Sequence, residues 1–306
     1  MSETPFDILV AGEINPDLIL TGDVNPEFDQ VEKTVDSAAL TIGSSSAIFA
    51  CGAARLGLRV AFIGVCSEDV FGRFMLAEMQ KRSVDVSNVI IRGGQTGLTV
   101  ILSKGVDRAI LTYPGLIGEL QSSDLPDGLL SQARHLHVAS YFLQKRLQAG
   151  LPALFRQARK LGLTTSLDTN YDPTGLWADF DDLLSVTNVF LPNEKEALSI
   201  SRKHHLDQAA TWLGSRVDAL AVKLGAAGAL GVSASRRIRA ASIPVQVADT
   251  VGAGDSFDAG FLYGYLHQWE LERSLRLACV CGALSTQKPG GTDGQPTLEE
   301  AMIYVS

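Results

Sequence analysis

From about residue 135 onward, short apolar segments with the length of buried strands alternate with longer segments of helical character. Alternation of this kind is typical of a parallel sheet covered by helices on both faces. We therefore predict an α/β fold with a central, mostly parallel sheet. The predicted strands are 135–139, 164–167, 189–191 and 219–222, and the predicted helices are 147–161, 194–201, 257–267 and 271–284.

The N-terminal third combines the same elements with polar, extended segments. Buried strands are predicted at 8–11 and 60–63, with helices at 44–58 and 69–81. The extended pieces include a hairpin, with strands at 98–102 and 109–113 joined through 104–107. We expect one domain over 1–306, with a small β-sheet lid built from about 13–42 and 89–113.

Composition and charge exclude several classes of protein. The chain is 46% apolar and carries a net charge of −8 with a pI near 5.2, which gives no general attraction to nucleic acid or to an anionic membrane. No apolar run has the length of a membrane span or of a signal peptide. The four cysteines fit no zinc pattern, and we expect buried free thiols and a cytoplasmic protein.

Segment 249–260 carries the strongest chemical signal. Gly252 and Gly254 immediately precede a helical stripe of aromatic residues at 257, 261 and 265. The first N–H groups of such a helix have no partner within it, and together with the helix dipole they form an anion site. Asp255 is predicted to lie in the first turn, beside that site.

A carboxylate next to an anion site is the arrangement that phosphoryl transfer to an alcohol requires. The carboxylate of Asp255 can accept the hydroxyl proton while backbone amides stabilise the transferring phosphoryl group. A glycine-rich turn capped by an aspartate, with no catalytic role, is the alternative reading of the same residues. A Gly-x-x-x-x-Gly-Lys loop is absent from the sequence, so another element must hold the phosphates.

Taken together, eight segments resemble the landmarks of the PfkB-type carbohydrate kinases, the ribokinase family. Any one of them is weak evidence, but their order and spacing hold over nearly the whole chain. The resemblance implies a three-layer αβα ribokinase-like fold and in-line transfer of the γ-phosphoryl group from ATP. The segments are 12–17, 43–57, 64–72, 96–97, 168–170, 193–196, 224–228 and 249–260.

The resemblance also implies roles for individual residues. It makes Asp255 the catalytic base and the amides of Ala253, Gly254 and Asp255, after Gly252, the anion hole. Glu196 is expected to bind Mg²⁺ through water. The residues expected around ATP are Asn193, Glu196, Lys223, Gly225, Gly228, Thr250 and Ala283. Those expected at the substrate are Asn15, Asp17, Gly43, Ser44 and Asp255. A monovalent cation, with K⁺ as the candidate, is expected at Asp249, Val251, Ser285, Lys288 and Gly290.

The substrate end departs from the family pattern. Ile48 stands where the family usually has a sugar-binding asparagine, and Ser44 follows Gly43 where a second glycine is usual. The substrate therefore stays open between a sugar, a polyol and a nucleoside, and a binding protein that has lost catalysis is a further alternative. Lys104 and Arg108, beside the predicted hairpin turn, either meet an anionic substrate or are exposed turn charges.

The resemblance implies two further features of the assembly. The lid is expected to close over a small-molecule substrate and to pair two subunits, which makes a homodimer the default expectation. No nucleic-acid or membrane partner is expected. Asp258 has two readings, either as a support of the anion site or as a polar position on a helix face.

Overall fold

The computed structural model describes residues 4–104, 107–177, 180–234 and 236–305. Its helices are α1 (Ser45–Arg55), α2 (Val70–Lys81), α3 (Asp127–Leu130), α4 (Lys145–Gln148), α5 (Leu151–Lys160), α6 (Asp181–Ser185), α7 (Glu194–Ser201), α8 (Leu206–Gly214), α9 (Ala253–Leu266), α10 (Leu271–Ser285) and α11 (Leu298–Met302). Its strands are β1 (Phe6–Ala11), β2 (Pro16–Thr21), β3 (Ser37–Ile42), β4 (Val60–Ile63), β5 (Val65–Cys66), β6 (Val84–Asp85), β7 (Ile90–Ile91), β8 (Leu98–Lys104), β9 (Asp107–Tyr113), β10 (Ala133–Val138), β11 (Thr164–Leu167), β12 (Val189–Phe190), β13 (Ala219–Lys223), β14 (Ala229–Ser233) and β15 (Arg236–Ala240).

The central sheet has nine strands in the order β15-β14-β13-β12-β11-β10-β1-β4-β6. Its strands run parallel from β13 to β6, and only β14 and β15 are antiparallel. The predicted α/β class with a mostly parallel sheet is confirmed. The prediction did not include β14 and β15 as strands. On β15, Arg236, Arg237 and Arg239 are exposed at the sheet edge, so the segment lacks the apolar run of a buried strand.

Both faces of the central sheet are buried, which explains the continuous apolar character of its strands. On β1, Ile8 and Val10 belong to one core cluster, whereas Leu9 and Ala11 belong to the other. The first cluster includes residues of α1, α2, α9 and α10, and the second includes residues of α3, α5, α7 and α8. Helices therefore cover the sheet on both sides, as a three-layer arrangement requires.

A second, small sheet has the order β3-β2-β8-β9 and is formed from the two polar segments of the N-terminal third. Strands β2 and β8 pair in parallel, and the other two pairings are antiparallel. The predicted hairpin is present as β8 and β9. Residues 105 and 106 of its predicted turn lie outside the described residues. A two-stranded pairing of β5 with β7 lies apart from both larger sheets.

Two predicted helix boundaries were wrong. The single helix predicted at 147–161 is two helices, α4 and α5, and the second begins after Gly150 with Pro152 in its first turn. A Cβ atom at Gly150 would lie 2.1 Å from the hydroxyl of Ser122, so the chain passes too close there for a larger residue. Helix α9 begins at Ala253 rather than at 257. The predicted start was late because the first turn carries small and polar residues, and the apolar stripe begins only at Phe257.

Across the described residues, no helix combines the length and the apolar character that crossing a lipid bilayer requires.

Candidate active site

The predicted site residues converge at the carboxyl ends of the parallel strands. Asn15 follows β1, and Asp17 lies next to it at the start of β2. Asp168 follows β11, and Lys223 ends β13. Helix α9 begins at the same edge. Its residues Gly254 and Asp255 line one cavity together with these four residues. Ligands of open α/β sheets bind at this edge, where the loops that follow the strands are brought together.

The N-terminus of α9 is set by Gly252, which has a positive φ of 73°. Ser256 N–H is the first to bond back to Gly252, at 2.9 Å, and Ala253 N–H reaches the Thr250 carbonyl at 3.4 Å. Within the described part of the chain, the N–H groups of Gly254 and Asp255 have no backbone acceptor. These two amides are therefore the ones available to an anion.

We expect Gly252→Ala to lower the free energy of unfolding by about 1–2 kcal/mol, the cost of a left-handed backbone for an L-residue. A Cβ at this position would also lie 2.7 Å from the Cα of Gly291. Gly254→Ala is the matched control, because its Cβ would lie 3.6 Å from Lys223 Nζ, an ordinary contact. Chemical denaturation of both variants tests this, and equal stabilities would contradict it.

Asp255 is buried in the first turn of α9. Burial raises the pKa of its carboxyl well above the usual range, and the nearby negative charge of Asp168 raises it further. A carboxylate with a raised pKa is a stronger base than an exposed one. The position and the basicity of Asp255 are both suited to removing a proton from a bound hydroxyl.

A buried cluster of charges lies next to α9. Lys223 Nζ donates to Asp168 at 2.9 Å and to both carboxylate oxygens of Asp258 at 3.1 and 3.2 Å. Burial opposes the charge on Lys223, but the attraction of Asp168 and Asp258 outweighs it and raises the pKa of the lysine. Lys223 was predicted at the nucleotide, whereas its pairing with Asp168 and Asp258 was not predicted.

The two aspartates of this cluster differ. Burial alone would raise the pKa of Asp168, but Lys223 lowers it below the usual value. Burial raises the pKa of Asp258 well above the usual value. Asp258 is one turn beyond Asp255 on α9. Residues three apart are neighbours on a helix, so this spacing could have predicted from the sequence that Asp258 lies near Asp255. Of its two readings, the structure shows a buried ion pair rather than a solvated helix face.

Asn193 and Glu196 form the N-terminal cap of α7. The side chain of Asn193 accepts from the Glu196 N–H at 2.9 Å, and Glu196 accepts in return from the Asn193 N–H at 2.9 Å. The pKa of Glu196 is raised to about 7, mainly by burial and to a smaller extent by repulsion from Asp168. A reciprocal cap stabilises a helix by itself. The buried carboxylate is also the type of oxygen ligand that Mg²⁺ or its bound water prefers.

A first cavity of about 580 Å³ lies on one side of the α9 N-terminus. It brings together the predicted nucleotide residues Lys223, Gly225, Gly228, Thr250 and Ala283. The sequence analysis missed a further wall formed by segment 242–247 and by one side chain of α10. These additional lining residues include Ile243, Pro244, Val245, Val247 and Cys279. The apolar walls next to an anion site fit a flat base attached to phosphates.

A second cavity of about 540 Å³ lies between the central sheet and the small sheet. Asn15, Asp17 and Ser44 line it, with Asp255 at the α9 end. Gly43 lies immediately beside Asp17, because a Cβ at Gly43 would come within 2.2 Å of the Asp17 Oδ1 atom. The two cavities share four lining residues, so they form one continuous cleft. The shared residues are Lys223, Gly225, Thr250 and Gly254.

Other residues of the second cavity were not predicted. The buried carboxylate of Glu13 accepts from the hydroxyls of Ser44 at 3.0 Å and Ser46 at 2.6 Å, which ties the end of β1 to the start of α1. Asn15 Nδ2 donates to the Thr99 hydroxyl at 3.1 Å, which ties the same loop to the small sheet. Asn170 donates to Ser45 at 3.2 Å. Asn15 and Ser44 were predicted at the substrate, but their partners were not, because each of these hydrogen bonds joins distant segments.

Burial raises the pKa of Asp17 to about 7, and the nearby Arg108 opposes the shift. The folded protein therefore keeps a proton on Asp17 between about pH 4 and pH 7, whereas the unfolded chain has lost it. We expect the free energy of unfolding to fall across this window relative to that of Asp17→Asn, by at most about 1.4 kcal/mol per pH unit. Denaturation at pH 5 and pH 8 tests this, and a difference that does not change with pH would contradict it.

The residues predicted around a monovalent cation are partly brought together. The Asp249 carboxylate accepts from the N–H groups of Val251 and Gly290, each at 3.0 Å. Lys288 lies in the same loop as Gly290, two residues earlier. Ser285 is the last residue of α10, and its hydroxyl donates to the Gly282 carbonyl. Asp249 is thus adjacent to the predicted loop through Gly290.

The comparisons with known proteins agree with this geometry. The model of the family described as "pfkB family carbohydrate kinase" matches residues 6–298. An uncharacterised sugar kinase of Archaeoglobus fulgidus is 31% identical over 252 residues, covering 80% of this chain and 98% of that protein. A 5-dehydro-2-deoxygluconokinase of Geobacillus thermodenitrificans is 26% identical, and the match covers 99% of this chain and 94% of that protein. A 2-dehydro-3-deoxygluconokinase of Bacillus subtilis is 30% identical, covering 84% of each chain.

Solved structures show the same fold. A ribokinase of Arabidopsis thaliana, complexed with ribose and ATP, has a TM-score of 0.85 at 20% identity and covers 98% of this chain and 99% of that one. A candidate ribokinase II of E. coli, in complex with ATP and Mg²⁺, has a TM-score of 0.87 at 23% identity and covers 98% and 99%. The ribokinase-like fold predicted from the sequence is confirmed.

The family match and the curated relatives show an enzyme that transfers a phosphoryl group to an alcohol. The chain belongs to the pfkB family of carbohydrate kinases.

Proposed function

We propose that this protein transfers the γ-phosphoryl group of ATP to a hydroxyl of a sugar or sugar-like molecule, with Asp255 as the general base. One observation carries the proposal. The buried carboxylate of Asp255 lies in the first turn of α9, whose N-terminus lines both cavities through Gly254. A base, an anion site and two adjoining cavities are what in-line transfer between two bound molecules needs.

The residues around the first cavity fit ATP. The base and ribose fit against the apolar walls bordered by Gly225, Gly228 and Ala283, and the phosphates fit at the free amides of Gly254 and Asp255. Gly228 has a φ of 91°, and a Cβ there would lie 2.0 Å from the Ala240 carbonyl, which supports a close-packed turn beneath the nucleotide. Mg²⁺ belongs beside Glu196 and Asn193. ATP supplies the phosphoryl group, and Mg²⁺ neutralises part of its charge.

The side chains of this protein then perform three tasks. Asp255 removes the proton of the substrate hydroxyl as the new bond forms. The amides of Gly254 and Asp255, with a smaller part for Ala253, stabilise charge on the transferring group. Lys223, held by Asp168 and Asp258, adds a fixed positive charge next to Gly254. The substrate hydroxyls bind to Asn15, Asp17 and Ser44 in the second cavity.

We propose that the small sheet is a lid and that the whole chain forms one kinase domain. The small sheet forms one wall of the second cavity through Thr99, Ile101 and Thr112. Its outer face exposes Leu111 and Tyr113 at 61% and 52%. Two exposed apolar side chains on an edge strand favour pairing with a second copy, so we propose a homodimer through the lid. Light scattering during gel filtration tests the dimer directly.

The substrate class is narrowed by the relatives. Two of them are named for gluconate derivatives, and gluconate is a sugar acid. We therefore favour a sugar or sugar acid over a nucleoside. The apolar side chains of Ile48, Ile101 and Ile117 in the second cavity are the observation that favours a nucleoside as the second candidate, because a base can pack against them.

ADP release from Mg-ATP across a panel of acceptors tests the proposal. The panel contains neutral sugars and polyols, sugar acids such as 2-dehydro-3-deoxygluconate, sugar phosphates, and nucleosides, each with and without K⁺. We expect turnover with one sugar class. Turnover with inosine, cytidine or adenosine above every sugar would favour the nucleoside kinase, and ATP binding without any turnover would favour a protein that has lost catalysis.

A further inference from the structure

The inner face of the small sheet has an ordered chemical pattern. Successive residues of a strand point to opposite faces, so every second residue of β9 faces the second cavity. Directly opposite residues of β8 and β9 lie on the same face. The face therefore runs from hydroxyls through isoleucines to a cation over about 13 Å of strand. Its cross-strand pairs are Thr99 with Thr112, Ile101 with Ile110, and Ser103 with Arg108.

Two cationic side chains line the second cavity, Arg108 and Lys223, and they differ in what they bind. Lys223 is buried and directs its ammonium group to Asp168 and Asp258. The guanidinium of Arg108 makes no hydrogen bond to any residue that the structure describes, and the carboxylate paired with it, Asp249, is 3.9 Å away. Arginine offers five N–H donors in a planar fork that matches carboxylate and phosphate. Arg108 thus has donors to offer a ligand.

The Arg108–Asp249 ion pair does not compete strongly with a ligand. At 3.9 Å the pair lies beyond hydrogen-bond distance, and both groups are partly exposed, at 38% and 21%. Asp249 already accepts from the N–H groups of Val251 and Gly290. Arg108 can therefore bind an anion in the cavity without leaving the Asp249 carboxylate unpartnered.

We propose that Arg108 determines substrate specificity by binding a carboxylate or phosphate group of the acceptor, so that this kinase acts on an anionic sugar. The inference rests on the proposed function and adds to it the chemical class of the substrate. The carboxylate or phosphate binds at the Arg108 end of the small sheet. The hydroxyl to be phosphorylated lies at Asp255, which lines the same cavity.

The test compares kcat/KM for matched acceptors that differ in one group, namely the sugar acid, the sugar phosphate and the neutral sugar of the same carbon skeleton. It is run at pH 8.5, where Asp17 with a pKa of about 7 is ionised. We expect the wild-type enzyme to prefer a charged member, and the preferred member distinguishes carboxylate from phosphate. Arg108→Met should lower kcat/KM for that member by about 10- to 100-fold, the usual effect of losing a hydrogen bond between charged groups.

Two comparisons within the experiment separate charge recognition from a general effect on the lid. Arg108→Met should change kcat/KM for the neutral sugar by less than about threefold, because no charged group is lost from that complex. Lys104→Met, which removes an exposed cation of the same hairpin that does not line the cavity, should change neither value.

The outcomes distinguish the inference from the function on which it rests. A wild-type preference for the neutral sugar, or equal losses for charged and neutral acceptors in Arg108→Met, would overturn the inference and leave the kinase proposal standing. The absence of ADP from every sugar of the panel would instead overturn the proposed function, and this inference with it.

Discussion

Asp255→Asn is expected to lower kcat by about 10²- to 10⁴-fold, the usual contribution of a general base. The amide has nearly the same shape as the carboxylate but cannot accept the hydroxyl proton. Because Asn also keeps the first turn of α9, the fold and the affinity for ATP should be unchanged. Steady-state ADP release gives kcat, and calorimetric titration with ATP gives the affinity.

The control for this variant is Asp182→Asn, which makes the same chemical change at an exposed residue of α6. It should leave kcat within about twofold of the wild type, as surface substitutions rarely disturb a distant site. A loss of less than about tenfold in Asp255→Asn would remove Asp255 as the base. Loss of ATP binding in the same variant would assign the carboxylate a structural role instead.

Lys223→Met is expected to destabilise the protein by about 3–5 kcal/mol, the usual cost of removing one partner from a buried ion pair. The substitution leaves Asp168 and Asp258 buried without their counter-charge. Adding Asp258→Asn to this variant removes one of the two carboxyl groups and should recover part of the stability. Chemical denaturation of the single and double variants at pH 7 measures both effects.

Lys160→Met is the matched control, because Lys160 is exposed at the end of α5. We expect its free energy of unfolding to stay within about 0.5 kcal/mol of the wild-type value. If Lys223→Met were equally harmless, the buried cluster would contribute little to stability. If the double variant were less stable than Lys223→Met alone, Asp258 would be stabilised by a partner other than Lys223.

Much of the fold follows from periodicity and from single residues. Buried parallel strands such as β1 and β4 are continuous apolar runs, and the helix predicted at 194–201 is present as α7. Strand β15 does not follow, because an edge strand rich in arginine has no apolar pattern. The break between α4 and α5 lies at Gly150, with Pro152 in the first turn of α5, and the predicted helix 147–161 ran through both residues.

The candidate site also has a part that could be predicted from the sequence and a part that could not. The α9 N-terminus is local in sequence, so its glycines and Asp255 could be predicted together. The charge cluster could not, because Lys223 is 55 residues from Asp168 and 35 from Asp258. Ile48, which departs from the family pattern, packs where a Cβ on Gly252 or Gly291 would come within 3 Å of it. That contact gives the residue a packing role that a motif comparison does not reveal.

The measurement that tests the central claim most directly is ³¹P nuclear magnetic resonance of the wild-type enzyme with Mg-ATP and the best acceptor of the panel. Transfer to a hydroxyl predicts a new phosphate monoester resonance that grows in equal amount with ADP. With Asp255→Asn at the same concentration, this resonance should be absent over the same period. Formation of inorganic phosphate and ADP without a phosphate monoester would contradict the account.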